Sequence, residues 1–582
     1  MKRIYKPCLF VVVTCLFLAL PRAQVQRSDS RAVTAIVGGT LIDGTGKQPI
    51  QDSVVVIEGN TFKSVGEKGK VSYPQSAKTI DAAGKFIIPG LIDAHVHYRD
   101  FVPELFLAHG VTSIEDMGNP TDWILAQRDG IAKGKIIGPR IFAAGDAITV
   151  GATVANRVGR GVKTPEEARK VVREHAARGL DKIAAIGAHS PAVMAAIVDE
   201  AHKAGLSVTA PVPTYPREAI EAGIDALEHS YSVGAASKKD PAVLQAIRRE
   251  RGEGGESKYE ANPFNLLMEP EFDDLIQLMV QKGTYTIPSL IFEYKLIHDH
   301  RKEFEQEYYQ ILTNPNLRYF PFEDYFPMSM SYSYSGITRA GGTLFGTLDR
   351  QGGDFERYRQ GYKNLQNFLR KLMQAGGKVL AGTDAPNLMP PGITLHQELQ
   401  LLADAGLTPM QVIMTATKSP AEFLRKQNQL GTIEAGKLAD LLILRADPLQ
   451  DITNTRKIEM VIKDGQVLDT SYHADFVNPI PRTVSAETEP NQIPILTDIS
   501  PRSATEGDAE VTLAVEGRDF EKASVVVFDG QWVPTTFVKG GQLRATIAGR
   551  LLNRPGTFVV TVWTPRPGGG MSGPIKFVVR FR

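Results

Sequence analysis

Short apolar runs separated by turn residues open the readable part of the chain. Val33-Thr34-Ala35-Ile36-Val37, Ser53-Val54-Val55-Val56-Ile57 and Thr79-Ile80-Asp81 sit between clusters of Gly, Asn and Asp, which is the pattern of short β-strands. The same texture returns at Gly431-Thr432-Ile433-Glu434-Ala435-Gly436-Lys437-Leu438-Ala439-Asp440-Leu441-Leu442-Ile443-Leu444 and at Met460-Val461-Ile462-Lys463-Asp464-Gly465-Gln466-Val467. Two β pieces flanking a long middle predict one small split β-sandwich, built from residues 32–90 and 430–472. Between them, residues 91–429 alternate helical stretches (165–178, 191–204, 408–424) with strand-like segments (112–114, 183–186, 207–210, 226–227, 285–291, 378–381). Strand-then-helix units repeated over such a length predict a parallel sheet in an α/β fold, closed as a (β/α)8 TIM-type barrel.

Two insertions interrupt that alternation. Residues 238–259 are charged and Gly-rich, and read as a mobile loop. Residues 294–360 gather Tyr319, Phe320, Phe322, Tyr325, Phe326, Tyr332 and Tyr334, either as an aromatic mini-core that packs the insertion down or as a lid over a site. Residues 473–493 are rich in Pro, Glu, Thr and Ser and read as a linker. Residues 494–582 are all β by pattern, with Val511-Thr512-Leu513-Ala514-Val515, Ser524-Val525-Val526-Val527-Phe528 and Thr557-Phe558-Val559-Val560-Thr561-Val562 at the spacing of an immunoglobulin-like sandwich.

Composition changes the picture in three places. The 582 residues exceed one ordinary core, in keeping with several domains. A net charge of +1 gives no electrostatic case for a nucleic-acid partner. The start carries Lys2, Arg3 and Lys6, then an almost wholly apolar run from Cys8 to Leu20, then Pro21-Arg22-Ala23. This reads as a signal peptide over residues 1–23, and hence as a secreted or periplasmic protein with no membrane span after cleavage. Both cysteines, Cys8 and Cys15, lie inside it, so the mature chain is expected to hold neither disulfides nor thiolate ligands. Loss of Lys2, Arg3, Lys6 and Arg22 takes the net charge from +1 to about −3.

The candidate chemistry begins at Pro89-Gly90-Leu91-Ile92-Asp93-Ala94-His95-Val96-His97. Side chains at i and i+2 of a strand share a face, so His95 and His97 present two imidazoles side by side. Neutral imidazole is the commonest metal ligand. Asp384, in Ala381-Gly382-Thr383-Asp384, ends a late strand and is the best third ligand. His229, in Ala226-Leu227-Glu228-His229, ends another. Barrel enzymes place their catalytic residues at such strand ends.

These segments together resemble the amidohydrolase superfamily, in its imidazolonepropionase-like or prolidase-like branch. Gly110-Val111-Thr112-Ser113-Ile114, His396-Gln397-Glu398-Leu399, residues 403–408 and Gly436-Lys437-Leu438-Ala439-Asp440-Leu441 are also similar, so the likeness runs from about 33 to 468. The last domain resembles IPT/TIG immunoglobulin-like modules through Ile499-Ser500-Pro501, Val515-Glu516-Gly517-Arg518-Asp519-Phe520 and Pro567-Gly568-Gly569-Gly570. The resemblance implies a metal-dependent hydrolase of amide or cyclic C–N bonds, acting on a small-molecule amide, dipeptide or lactam. It implies that Asp384 ligates the metal and passes a proton from water to the leaving nitrogen. It gives His229 the part of a fourth ligand or an oxyanion donor. The family places a carboxylated Lys on strand 4 and a His on strand 5, but here those positions are Ala184 and Pro211. Neither offers a donor atom. One divalent metal, zinc by expectation, is then implied on His95, His97 and Asp384, with His229 as a further candidate. Lys182, two residues before Ala184 on the same strand face, could climb toward the metal or pair with an acid near the barrel floor. His189, on the following loop, is a second substitute, with a surface role expected. The alternatives are a barrel that binds ligand or metal without turnover, and an adhesion or carbohydrate-binding protein led by the last domain.

Overall fold

The computed structural model describes residues 33–582 except 151–152, 155–156, 188, 212, 251–271, 294–298, 313, 318, 320–354, 387–388, 482–493, 530 and 565–569. The predicted signal peptide and the aromatic residues Phe320 to Tyr334 lie outside the described residues, as do much of the linker and the Pro567-Gly568-Gly569 turn. No described helix is long and apolar enough to cross a membrane.

The middle of the chain supplies eight parallel strands in chain order: β1 (Leu91–Val96), β2 (Val111–Asp116), β3 (Arg140–Ala143), β4 (Lys182–Ile186), β5 (Ser207–Ala210), β6 (Ala226–Glu228), β7 (Tyr285–Ile287) and β8 (Lys378–Val379). β1, β2 and β3 form one run, and β4 through β8 another. The Asp181 amide donates to the Ala143 carbonyl between the two runs (2.9 Å). At the other end a parallel bridge joins Ala385, beyond β8, to Val96 of β1. Helices follow most strands: Pro165–Ala177 precedes β4, Pro191–Lys203 precedes β5, and Ile393–Asp404, buried from Ile393 to Leu402, follows β8. Nearly all of their residues are buried, polar ones included, because both of their faces are covered. This is the TIM-barrel type of arrangement that the strand–helix alternation predicts.

The two β pieces at its flanks do meet. Leu441–Leu444 pairs antiparallel with Phe86–Pro89 and with Ile458–Lys463, which completes one eight-stranded sheet. Val33–Leu41 pairs in parallel with Lys78–Asp81 along its first half and with Phe86–Pro89 along its second. The change of partner falls at Gly38-Gly39, where φ of Gly38 is +90° and a Cβ on Gly39 would meet Ile87 at 2.9 Å. Glycine bulges of this kind turn sandwich corners. Arg140 of β3 ion-pairs with both Asp440 and Asp464, which ties the parallel strands to this sheet.

The segment expected to be a mobile loop begins instead as the helix Pro241–Glu250. Asp240 accepts from the Ala242 and Val243 amides and Pro241 opens the first turn, so the charged composition masks a capped helix. The described start of the linker is docked rather than loose. Asn478 is buried, donating to the Asp100 carbonyl and the Gln127 side chain, while Trp123 donates to the Ile480 carbonyl. Residues 494–582 form a four-stranded and a six-stranded sheet over a common core that includes Leu513, Val515, Val526, Phe528, Val560 and Phe577.

Candidate metal centre

His95 sits near the end of β1 and His97 just beyond it. Their rings are 5.4 Å apart, edge to face. The strand is held from below by Asp93, whose carboxylate accepts from the Thr383 hydroxyl (2.7 Å) and amide (3.1 Å). From the side, the Thr383 and Asp384 amides both donate to the His95 carbonyl. Gly382 makes this close approach feasible: a Cβ there would lie 2.6 Å from Ile287 and 2.8 Å from the His95 Cβ. The motif Ala381-Gly382-Thr383-Asp384 is therefore a fitted groove for the His-x-His strand.

The ends of β6 and of the β8 segment bring the remaining groups in. His229 and Asp384 both have φ of +63°, in the left-handed region that non-glycine residues enter at a cost. His95, His229 and Asp384 each offer an atom within 4.8 Å of the others, and all three are buried. His97 joins through Asp384, its Nε2 lying 2.8 Å from Oδ1. The His95 Nε2 is 3.4 Å from the same oxygen, and the His229 ring stacks obliquely on His95 at 4.9 Å. All four predicted ligands thus converge from three strand ends.

Two acids that the sequence reading did not single out complete the surroundings. Glu228, fully buried, places Oε2 3.1 Å from the His95 Nδ1. Glu115, on β2, takes the Lys182 ammonium at 2.6 Å, both side chains being inaccessible to solvent. Glu228 closes the short strand Ala226-Leu227-Glu228, whereas Glu115 lies in Val111-Thr112-Ser113-Ile114-Glu115-Asp116, a strand already rich in polar residues, so nothing local in the sequence marks it out. Lys182 also lies 5.0 Å over the Phe423 ring. Asp181, the acid next to Lys182 in the chain, pairs instead with Arg128. His189 is not on the surface: it is buried, with Nε2 on the Ile148 carbonyl at 3.1 Å. Burial holds its pKa down.

Electrostatics follow from this packing. Burial opposes charge on His95, but Glu228 and Asp384 outweigh it and push the pKa up to about 10. Burial would raise Glu228, yet His95 and Lys182 bring it down to about 2. Asp384, likewise buried, is held well below the usual carboxylate range by His97 and His95. Burial lifts Glu115 to about 7 in spite of Lys182. These shifts describe a buried anionic pocket gathered around imidazoles. Both His95 ring nitrogens and both Glu228 oxygens lack an aligned hydrogen bond, so the donor set fits a divalent cation by chemistry and by unmet need.

Residues 86–468 match the Amidohydrolase family. The chain belongs to the amidohydrolase family. Over 66 residues this amidohydrolase is 48% identical to the dihydroorotase of Trichlorobacter lovleyi, a stretch covering 11% of this chain and 15% of that protein. The alignment therefore spans only a small part of that relative's length. The fold is similar to a Xaa-Pro dipeptidase crystallised with methionine in its active site, at 22% identity and a TM-score of 0.52, covering 75% of this chain and all of that one. It is also similar to molinate hydrolase, at 22% identity and a TM-score of 0.53, covering 79% of this chain and 100% of that one. At such identities these two likenesses speak for the fold of this amidohydrolase alone.

Neither of the two positions expected to differ from the family pattern has a side-chain donor atom. Ala184 packs in a small buried cluster with Met117, Ala144 and Ala147. Pro211 offers the barrel only its carbonyl, which accepts from the Ser232 hydroxyl at 2.9 Å.

Proposed function

We propose that this protein is an exported, mononuclear metal-dependent amidohydrolase that cleaves an amide or cyclic C–N bond in a small molecule, dipeptide or lactam. In this reading the eight strands close as a (β/α)8 barrel, and the last domain is an IPT/TIG-like module. One observation carries the proposal: His95, His229 and Asp384 meet at the strand ends, with His97 joined through Asp384, while neither Ala184 nor Pro211 has a side-chain donor atom. Charge supports one ion rather than two. Glu115 and Lys182 offset each other, and Glu228 with Asp384 leaves two negative charges. A single divalent ion matches them, and a second would leave excess positive charge buried.

Zinc, when bound, would supply a water of lowered pKa and a Lewis acid for the carbonyl. His95, His97 and Asp384 would hold it. Asp384, acceptor-only in its ionised state, is placed to take the proton of an attacking water and return it to the leaving nitrogen. His229, strained into the left-handed region and 5.8 Å from the Phe292 ring, presents its imidazole to the developing oxyanion. Lys182 is not assigned as a ligand, because its ammonium is committed to Glu115.

Metal analysis of the purified protein is the test. One equivalent of zinc, lost in the His95→Ala/His97→Ala variant, is expected; no bound metal after reconstitution overturns the reading. A screen of N-acyl amino acids, dipeptides and lactams on the loaded protein then separates turnover from mere binding.

A further inference from the structure

We infer that Glu228 is a positioning residue for the proposed centre: it fixes His95 with the proton on Nδ1, so that Nε2 is left bare toward Asp384. This rests on the mononuclear reading and deepens it. The two His95 nitrogens point at different carboxylates, Nδ1 at Glu228 (3.1 Å) and Nε2 at Asp384 (3.4 Å). Only one of them can face a cation. Asp384 is itself in the donor group of three, whereas Glu228 is not, so the Glu228 side is the back of the ring. A neutral imidazole has one donor and one acceptor nitrogen, and the partner of the donor decides the tautomer.

Glu228 is wholly buried, and among the described residues the charge that most stabilises its carboxylate is His95, at 3.1 Å, ahead of Lys182 and His229. An apolar residue would otherwise suit the Ala226-Leu227 strand better. The backbone supplies rigidity. Glu228 pairs through its strand with Ile287 of β7, while His95 is clamped by the Thr383 and Asp384 amides. Carboxylates behind a ligating imidazole orient the ring and raise its basicity, and their loss weakens metal binding by roughly 10–100-fold. The acid sits directly before His229 in the chain. One strand end therefore delivers both a group facing the site and the group that orients a ligand from behind.

The experiment titrates the apoprotein with Co(II) alone, following its visible absorption, in the unmutated protein and in Glu228→Ala and Glu228→Gln. Glu228→Ala is expected to weaken binding by roughly 10–100-fold and to shift the absorption band. Glu228→Gln, which keeps an acceptor oxygen but not the charge, is expected to recover part of the loss. Unaltered affinity and band in both variants overturn the inference. Failure of the unmutated protein to bind Co(II) overturns the mononuclear reading instead. If the variants do not fold, side-chain ¹⁵N NMR of the zinc-loaded unmutated protein decides: a proton on the His95 Nδ1 supports the inference, and a bare Nδ1 overturns it.

Discussion

Two residues show how closely the site depends on its supports. Gly382 has no room for even a methyl group, because Ile287 and His95 stand at 2.6 and 2.8 Å from where it would go. Gly382→Ala should therefore cost about 1–3 kcal/mol through overpacking. It should also lower metal occupancy, since relief must come from movement of the His95 strand. Thermal unfolding and metal analysis check both; an unchanged melting temperature would show that the strands part freely here. Lys182 and Glu115 make the second case. Removing one member of a buried ion pair strands the other charge, at about 3–5 kcal/mol. Lys182→Met is expected to lose that much in denaturant unfolding, and Lys182→Met/Glu115→Gln to regain most of it. Metal content should hold in the double variant, because neither group is assigned as a ligand. Its loss there would return Lys182 to the ligand set.

At the level of elements, the decisive feature is where strands stop. β6 ends at Glu228 with His229 at φ +63°, β7 is followed by Ser289 at +46°, and the β8 segment reaches Asp384 at +63°. Each of these three successive strands is thus followed, within five residues, by a non-glycine residue in the left-handed region, and two of those residues, His229 and Asp384, belong to the candidate donor group. The candidate ligands are legible in the sequence, because a His-x-His on a strand and an Asp at a strand end are local patterns. It does not show Glu228 or Glu115 as participants. Their roles depend on which strands lie opposite, and no spacing within one strand encodes that. It also hides the helix Pro241–Glu250, since charge and glycine content look the same in a loop and in a solvated helix start. Helix starts elsewhere are legible. Thr164 and Glu167 form a reciprocal capping box at the start of Pro165–Ala177, the helix that feeds β4. Thr164→Ala should cost about 0.5–2 kcal/mol, visible as a lower melting temperature with metal content unaffected. A loss of metal would mean that the helix, not only its strand, sets the position of the β4 side chains.

Across the whole molecule, three histidines outside the candidate donor group tie stability to pH. Burial, with nearby Arg160, lowers the His175 pKa to about 4; burial, with Arg456, lowers His109 to about 4 and His396 to about 3. Each is neutral in the folded state, whereas an unfolded histidine takes a proton near pH 6.5. As pH falls through about 6.5, the unfolded chain binds protons that the folded chain refuses, and stability is lost until the folded pKa is reached. Depressed carboxylates such as Glu228 add nothing above the unfolded carboxylate pKa of about 4.5; they cost stability only in the lowest part of this window. Glu398 (about 8), Asp93 (about 7) and Glu115 (about 7), raised by burial, act in the opposite direction. The folded protein holds their protons more tightly, so they add stability as pH drops. The raw curve of melting temperature against pH therefore mixes two signs, and a difference is needed to separate them. His175 is the position to change. Both of its ring nitrogens are buried without a hydrogen-bond partner, so a leucine loses no bond there. His175→Leu leaves the carboxylates in place and removes one titrating histidine. Its melting temperature should match or exceed that of the unmutated protein at pH 8, and the gap between them should widen steadily from pH 6.5 to pH 4. A constant gap across that range would show that His175 carries the same charge folded and unfolded, and would refute its part in acid sensitivity.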